Sequence, residues 1–373
     1  MNDKKTNRIC MIVQQKDVHG GIAAVVNGYY GSRLEKDFDI TYIESYRNGS
    51  RWQKLQKALS AYRAFSRLLK ERPPELVHIH SSFGPSFYRK IPFILMCEKK
   101  GIPVVNHIHG ADFDAFYSNA SDVAKKRIRK IYGKCARFIV LSEEWKAHIG
   151  VIVPEEKIRI IENYGIPEKG SDIEEWNRER PERKQVLFLG EIGKRKGAFD
   201  LPEIITEVLK KVPDVRFVIG GEGETEVVRE KLERLGIPEE TVRFPGWVTG
   251  EEKKKLLRES SLFLLPSYQE GMPMSILDAM SCGLPVVSTN VGGIPKLVRQ
   301  GENGFLCEAG DVRAMADGIL MLLLDEKKRK EAGDRSLRII EEEYSLLKHI
   351  EKLEELYREV LNNRQGSVGS KKG

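Results

Sequence analysis

Short apolar runs alternate along this chain with stretches whose apolar positions recur every three or four residues. In the first half the runs are Ile9–Val13, Ile40–Ile43, Leu76–His80, Val104–Ile108, Phe138–Leu141 and Ile158–Ile161. From Val186 the alternation restarts with Val186–Leu189, Val215–Ile219, Val242–Phe244, Leu262–Leu265, Val286–Ser288 and Gly304–Leu306. Runs this short and this apolar read as strands buried on both faces, with the helical stretches as crossovers between them. The pattern predicts an α/β chain of two doubly wound, Rossmann-like domains. Gly165-Ile166-Pro167-Glu168-Lys169-Gly170 and the charged stretch Ser171–Lys184 read as the connector, giving domains over 1–170 and 184–345. Helical patterns around 312–324, 327–344 and 347–362 close the chain, and the polar residues 363–373 are expected to be a disordered tail.

One helical pattern is unusually basic. Trp52, Leu55, Leu59, Tyr62, Phe65 and Leu69 form its apolar stripe, expected to face the core, while Arg51, Lys54, Lys57, Arg63, Arg67 and Lys70 fill much of the rest. Residues 1–170 hold 29 Lys and Arg against 18 Asp and Glu, the remainder 33 against 37. Such an uneven balance makes an anionic membrane surface a candidate partner for the first half, through this helix or through Lys125–Arg137. No aromatic platform or nucleic-acid-binding motif accompanies the charge, so no nucleic-acid partner is expected. No apolar run approaches the roughly 20 residues of a membrane span, and Ile9–Val13 is too short for the apolar core of a secretory signal. A cytoplasmic protein is expected. Cys10, Cys97, Cys135, Cys282 and Cys307 lie in or beside apolar segments without C-x-x-C spacing and read as buried thiols.

The candidate chemistry centres on Glu270-Gly271-Met272-Pro273-Met274-Ser275-Ile276-Leu277-Asp278-Ala279-Met280. Glu270 follows the apolar run Leu262–Leu265 and so belongs at the carboxyl end of a strand, where open α/β sheets bind ligands. Pro273 suits the first turn of a helix, and Ile276, Leu277 and Met280 recur at helical spacing. Free backbone N–H groups at that helix start attract an anion, while Glu270 and Asp278 can accept hydrogen bonds from hydroxyls. A phosphate and a sugar together would satisfy this arrangement.

These residues resemble glycosyltransferase family 4, the group 1 glycosyltransferases, whose mark is E-G-x-P-x-x-x-L-E-A-M followed by x-x-G-x-P-V-V. Here the match is Glu270, Gly271, Pro273, Leu277, Asp278, Ala279 and Met280, then Gly283, Pro285, Val286 and Val287, with Asp278 one methylene shorter than the usual Glu. The resemblance implies a GT-B architecture, two Rossmann-like domains facing a deep cleft, with the last helix returning to the first domain. It implies transfer of a sugar, with retention, from a nucleoside-diphosphate-sugar to the hydroxyl of a saccharide or lipid-linked saccharide, as in surface polysaccharide or glycolipid synthesis. No cofactor and no metal are expected.

Gly190-Glu191-Ile192-Gly193-Lys194-Arg195-Lys196-Gly197 is similar to the family's G-R-L-x-x-x-K-G turn, whose cations hold the pyrophosphate; Lys196 fits, and Glu191 stands where the Arg belongs. That departure leaves Arg195 or Lys194 to supply the second cation, or Glu191 to pair with one of them. The Gly20-Gly21 turn, Gly221 and Val248 match donor-side segments, beside Gly271, Met272, Pro273, Met274 and Ser275. His109, in His109-Gly110-Ala111-Asp112, matches the residue beneath the transferred sugar, so His109, Glu270 and Lys196 are the expected catalytic residues and Asp112 an acceptor-side one. His107 shares a strand face with His109, but no third metal ligand is evident; His78 and His80 read as satisfied strand histidines. The rival readings are a GT-B-type sugar-nucleotide epimerase and, because of Glu191, a non-catalytic nucleotide-sugar-binding subunit.

Overall fold

The computed structural model describes residues 7–110, 113–168 and 184–369. Most of the expected connector, Asp112 and residues 370–373 lie outside the described residues. Two compact units result, one of residues up to Asn163 together with Leu346 onward, the other Tyr164–Ser345.

In the first unit β1 (Arg8–Val13), β2 (Asp39–Glu44), β3 (Leu76–Ser81), β4 (Val104–Ile108), β5 (Arg137–Val140) and β6 (Ile158–Ile160) form one sheet. Its order is β2-β1-β3-β4-β5-β6, with every pair parallel. The helices are α1 (Gly21–Asn27), α2 (Arg33–Asp37), α3 (Arg51–Glu71), α4 (Pro85–Lys99), α5 (Asp122–Tyr132) and α6 (Glu143–Gly150). In the second unit β7 (Gln185–Leu189), β8 (Arg216–Gly220), β9 (Val242–Gly246), β10 (Leu262–Leu265), β11 (Val286–Thr289) and β12 (Gly304–Cys307) pair in parallel in the order β12-β11-β10-β7-β8-β9. Between and after them run α7 (Leu201–Leu209), α8 (Thr225–Arg234), α9 (Gly250–Glu259), α10 (Met274–Ser281), α11 (Ile294–Leu297), α12 (Val312–Leu324) and α13 (Glu326–Glu343). The last helix, α14 (Leu346–Gly369), belongs to the first unit and runs on through residues expected to be a disordered tail.

Strands β3, β4 and β10 are buried at every position, as two-sided helix cover demands. Each sheet turns back at its first strand: β1 has β2 on one side and β3 on the other, and β7 has β8 on one side and β10 on the other. Those reversals are topological switch points, and the segments leaving β1 and β3, and those leaving β7 and β10, lie where open α/β sheets bind ligands.

Helix α3 corrects an expectation. Ser50 caps it, with Gln53 completing a capping box, and Phe65 and Leu69 are buried as anticipated. Trp52, Leu55 and Leu59 are instead 66 %, 49 % and 43 % exposed. The buried positions of the helix are Ala58, Ala61, Phe65 and Leu69, so the amino-terminal part of the stripe faces solvent. All five cysteines are buried free thiols.

Candidate functional site

At the switch point of the second unit, β10 leads through Pro266 and Ser267 to Glu270, which is 6 % exposed. Its Oε1 accepts from Ser267 Oγ at 2.7 Å and lies 2.5 Å from Lys196 Nζ, on the turn after β7. Strand order alone makes this pair, since the two residues are 74 apart in sequence. Thr289, at the end of β11, donates its hydroxyl to Ser267 O at 2.6 Å and steadies the turn. Two glycines allow the loops to close this tightly. Gly197 has φ +68°, and a Cβ there would sit 1.8 Å from Pro266 O; Gly292 has φ +56°, and its Cβ would sit 1.9 Å from Glu270 O. Gly271 O also accepts from Gly293 N at 2.7 Å.

Pro273 is the N-cap of α10 rather than a residue of its first turn, and neither a side-chain cap nor an acidic residue closes that end among the described residues. The first-turn N–H groups of Met274 and Ser275 have no acceptor within the helix and carry its partial positive charge. Asp278 lies further along α10, where Lys253 of α9 reaches its Oδ2 at 2.8 Å. Glu191 pairs with Arg195, Nη2 to Oε2 at 2.9 Å, and Arg195 Nη1 also donates to Gln269 O at 3.4 Å. The acid standing at the usual arginine position is thus neutralised locally. Met272 and Val248 are buried, and Gly221, past the end of β8, donates to Gly246 O at 2.7 Å.

In the first unit the Gly20-Gly21 turn starts α1, with Gly20 as its N-cap. His109 follows β4, donates its N–H to Ser81 O at 2.9 Å and stacks on His107 with ring centroids 3.9 Å apart. Its Nε2 is 2.9 Å from His80 Nδ1. Burial, and then His349, pull the His109 pKa down to about 3, so the ring is neutral. His349 of α14 donates from Nδ1 to Glu162 O, which leaves its Nε2 to accept from Tyr29 OH, both at 2.7 Å.

Folding overturns the sequence reading of the other histidines. His78 and His80 of β3 and His107 of β4 form one buried cluster in which one ring nitrogen of each lies within 4.8 Å of those of the other two, so His107 does gain further candidate ligands. Nor are they satisfied: among the described residues, His78 Nε2, His80 Nε2 and both ring nitrogens of His107 lack a hydrogen-bond partner. Each such buried orphan costs about 1–3 kcal/mol. Sequence reasoning also missed Lys253, Ser267 and Thr289, and only the chain spacing of Ser267 to Glu270 offered a local signal.

Two doubly wound parallel sheets with a phosphate-suited turn and an acid at the switch point define a two-domain GT-B fold. The family described as "Glycosyl transferases group 1" matches residues 171–338, and "Glycosyltransferase Family 4" matches residues 24–164. The chain belongs to this family, the group 1 glycosyltransferases of family 4. It is similar to an N-acetyl-alpha-D-glucosaminyl L-malate synthase of Bacillus anthracis, 30 % identical over 187 residues, 50 % of this chain and 48 % of that one. It is also similar to a UDP-Gal:alpha-D-GlcNAc-diphosphoundecaprenol alpha-1,3-galactosyltransferase of Escherichia coli, 26 % identical over 339 residues, 85 % of this chain and 83 % of that one. The match to the first of these thus spans about half the relative's length. A sucrose-phosphate synthase from Thermosynechococcus elongatus shares the fold with a TM-score of 0.78 at 16 % identity, covering 96 % of this chain and 100 % of that one.

Proposed function

We propose that the protein transfers a sugar, with retention at the anomeric carbon, from a nucleoside-diphosphate-sugar to a hydroxyl of a saccharide or lipid-linked saccharide. The carrying observation is the Lys196–Glu270 pair at the β7/β10 switch point, beside the uncapped start of α10. On this reading Lys196 exchanges Glu270 for the diphosphate, and Arg195 and the α10 amino terminus help to meet the charge of the leaving group. Glu270, released, accepts from hydroxyls of the donor sugar. Asp278 holds the ribose once Lys253 swings aside. No metal is needed for this chemistry. The first unit carries the acceptor side, with His109 as a neutral hydrogen-bonding ring. The Escherichia coli relative's name specifies a UDP-sugar and a lipid-linked diphosphate acceptor, and it matches most of this chain, which favours that donor and acceptor class.

Calorimetric titration with UDP, GDP and ADP tests the donor side. One nucleotide is expected to bind, about 10–100-fold more weakly in Lys196→Ala, as loss of a charge-assisted hydrogen bond predicts. Glu270→Gln should keep nucleotide binding and lose transfer. Absence of binding by all three nucleotides would overturn the reading in favour of a non-catalytic scaffold.

The proposal extends to a membrane. No helix among the described residues is long and apolar enough to cross one. Exposed Trp52, Leu55 and Leu59 on α3, with Lys125, Lys126, Arg127, Arg129 and Lys130 on α5, suit the surface of an anionic bilayer that presents a lipid-linked acceptor. Cosedimentation with anionic vesicles should fall with salt and on charge reversal at Lys125, Lys126 and Lys130; binding indifferent to both would sink this part.

A further inference from the structure

We propose that His78, His80 and His107 bind one borderline-soft divalent cation, of the zinc or cobalt kind, inside the first unit. Three independent features converge on this. The backbone places the rings: His78 and His80 are two apart on β3 and share a face, and His107 is the register partner of His80 on β4. One ligand atom from each ring lies within 4.8 Å of the other two, and tetrahedral bonds of 2.0–2.1 Å would set them roughly 3.3 Å apart, so the rings need close by at most about 1.5 Å.

The second feature is the pattern of used and unused nitrogens. His78 Nδ1 meets Tyr357 OH of α14 at 2.5 Å, and His80 Nδ1 meets His109 Nε2 at 2.9 Å. Each of these rings is therefore oriented through one nitrogen by an outer partner, while Nε2 is left without one among the described residues. Histidines that ligate metals are held in this way, their second nitrogen engaged by an outer-sphere group. His107 has both nitrogens to offer. The third feature is the donor set. Three imidazoles without a carboxylate in the group select zinc, cobalt, nickel or copper over magnesium and calcium, which require oxygen ligands. Burial holds all three rings in the neutral form that binds metal. The proposal does not rest on the transfer reading. A cation here would fix His80 and, through it, the ring of His109.

The test uses the full chain, dialysed against a chelator and titrated with Co2+ while the visible spectrum is followed. One equivalent should bind with the intense bands of tetrahedral nitrogen coordination, Zn2+ should displace it stoichiometrically, and both ions should raise the Tm. Tyr357→Phe removes the hydroxyl behind His78 but no ligand, and should weaken Co2+ by roughly 10–100-fold. His107→Gln should abolish the bands, whereas His19→Ala should keep them. A wild-type protein without tetrahedral bands overturns the proposal, and so do bands that survive His107→Gln or vanish with His19→Ala. The wild-type titration and Tyr357→Phe decide the matter even if His107→Gln fails to fold.

Discussion

All seven histidines of the chain lie in the first unit and none in the second, although both units are six-stranded parallel sheets that turn back at their first strand. At the second unit's switch point a buried acid is balanced by a lysine and a hydroxyl, beside a helix start that offers N–H groups. Beside the first unit's switch point stand neutral imidazoles in β3 and just after or within β4; His78 is hydrogen-bonded to Tyr357 of α14, and His80 packs near Tyr29, which bonds His349 of α14. One fold thus presents two chemistries. The charged one suits an ionic diphosphate. The neutral, nitrogen-rich one suits uncharged hydroxyls and, in its interior, a soft cation.

Acid should separate the units most sharply. His349 is held at about 4 and His109 at about 3, chiefly by burial, while the unfolded chain takes up these protons below about 6.5. Because the unfolded state binds more protons, stability of the first unit is full above that value and falls as pH drops toward the folded values. His349 alone contributes a loss of roughly 3 kcal/mol by pH 4, and the buried His78, His80 and His107 add to it in the same direction. Calorimetric scans at about pH 7.5 and 5 should show a first-unit transition that moves down and a second-unit transition free of this histidine effect. Equal movement of both would break the comparison.

Glu270→Ala comes next. It leaves Lys196 without its carboxylate in a pocket where that side chain is 13 % exposed, which should cost about 3–5 kcal/mol of second-unit stability and abolish transfer. Denaturant unfolding measures the first effect and a transfer assay the second; Glu270→Gln should recover part of the stability and none of the activity. Gly197→Ala should destabilise the same unit by about 1–3 kcal/mol, since its Cβ would collide with Pro266 O at a positive φ, and should weaken nucleotide binding by displacing Lys196. Trp52→Ser should change stability by no more than about 0.5 kcal/mol because the ring is largely exposed. The same change should reduce binding to anionic vesicles; unaltered vesicle binding would assign Trp52 no part in docking.

Alternation of apolar runs with helical periods determined the fold class and placed all twelve strands within a residue or two of their observed ends, because both signals are local. The motif from Glu270 to Met280 was legible for the same reason: strand end, proline and helix start follow one another in sequence. Burial of a periodic stripe was not legible, since it depends on how much of the helix a neighbour covers; Phe65 and Leu69 are covered and Trp52 is not. Partnerships between distant residues were equally silent. Lys196 meets Glu270 because β7 and β10 are adjacent, Lys253 meets Asp278 because α9 lies beside α10, and the histidines assemble because β3 and β4 pair in register. Sequence by itself determined which segments are strands and helices and which residues end at a sheet's carboxyl edge. Strand order and cover, long-range products of packing the whole chain, decided which charges are neutralised, which apolar residues face solvent and which rings share one interior site.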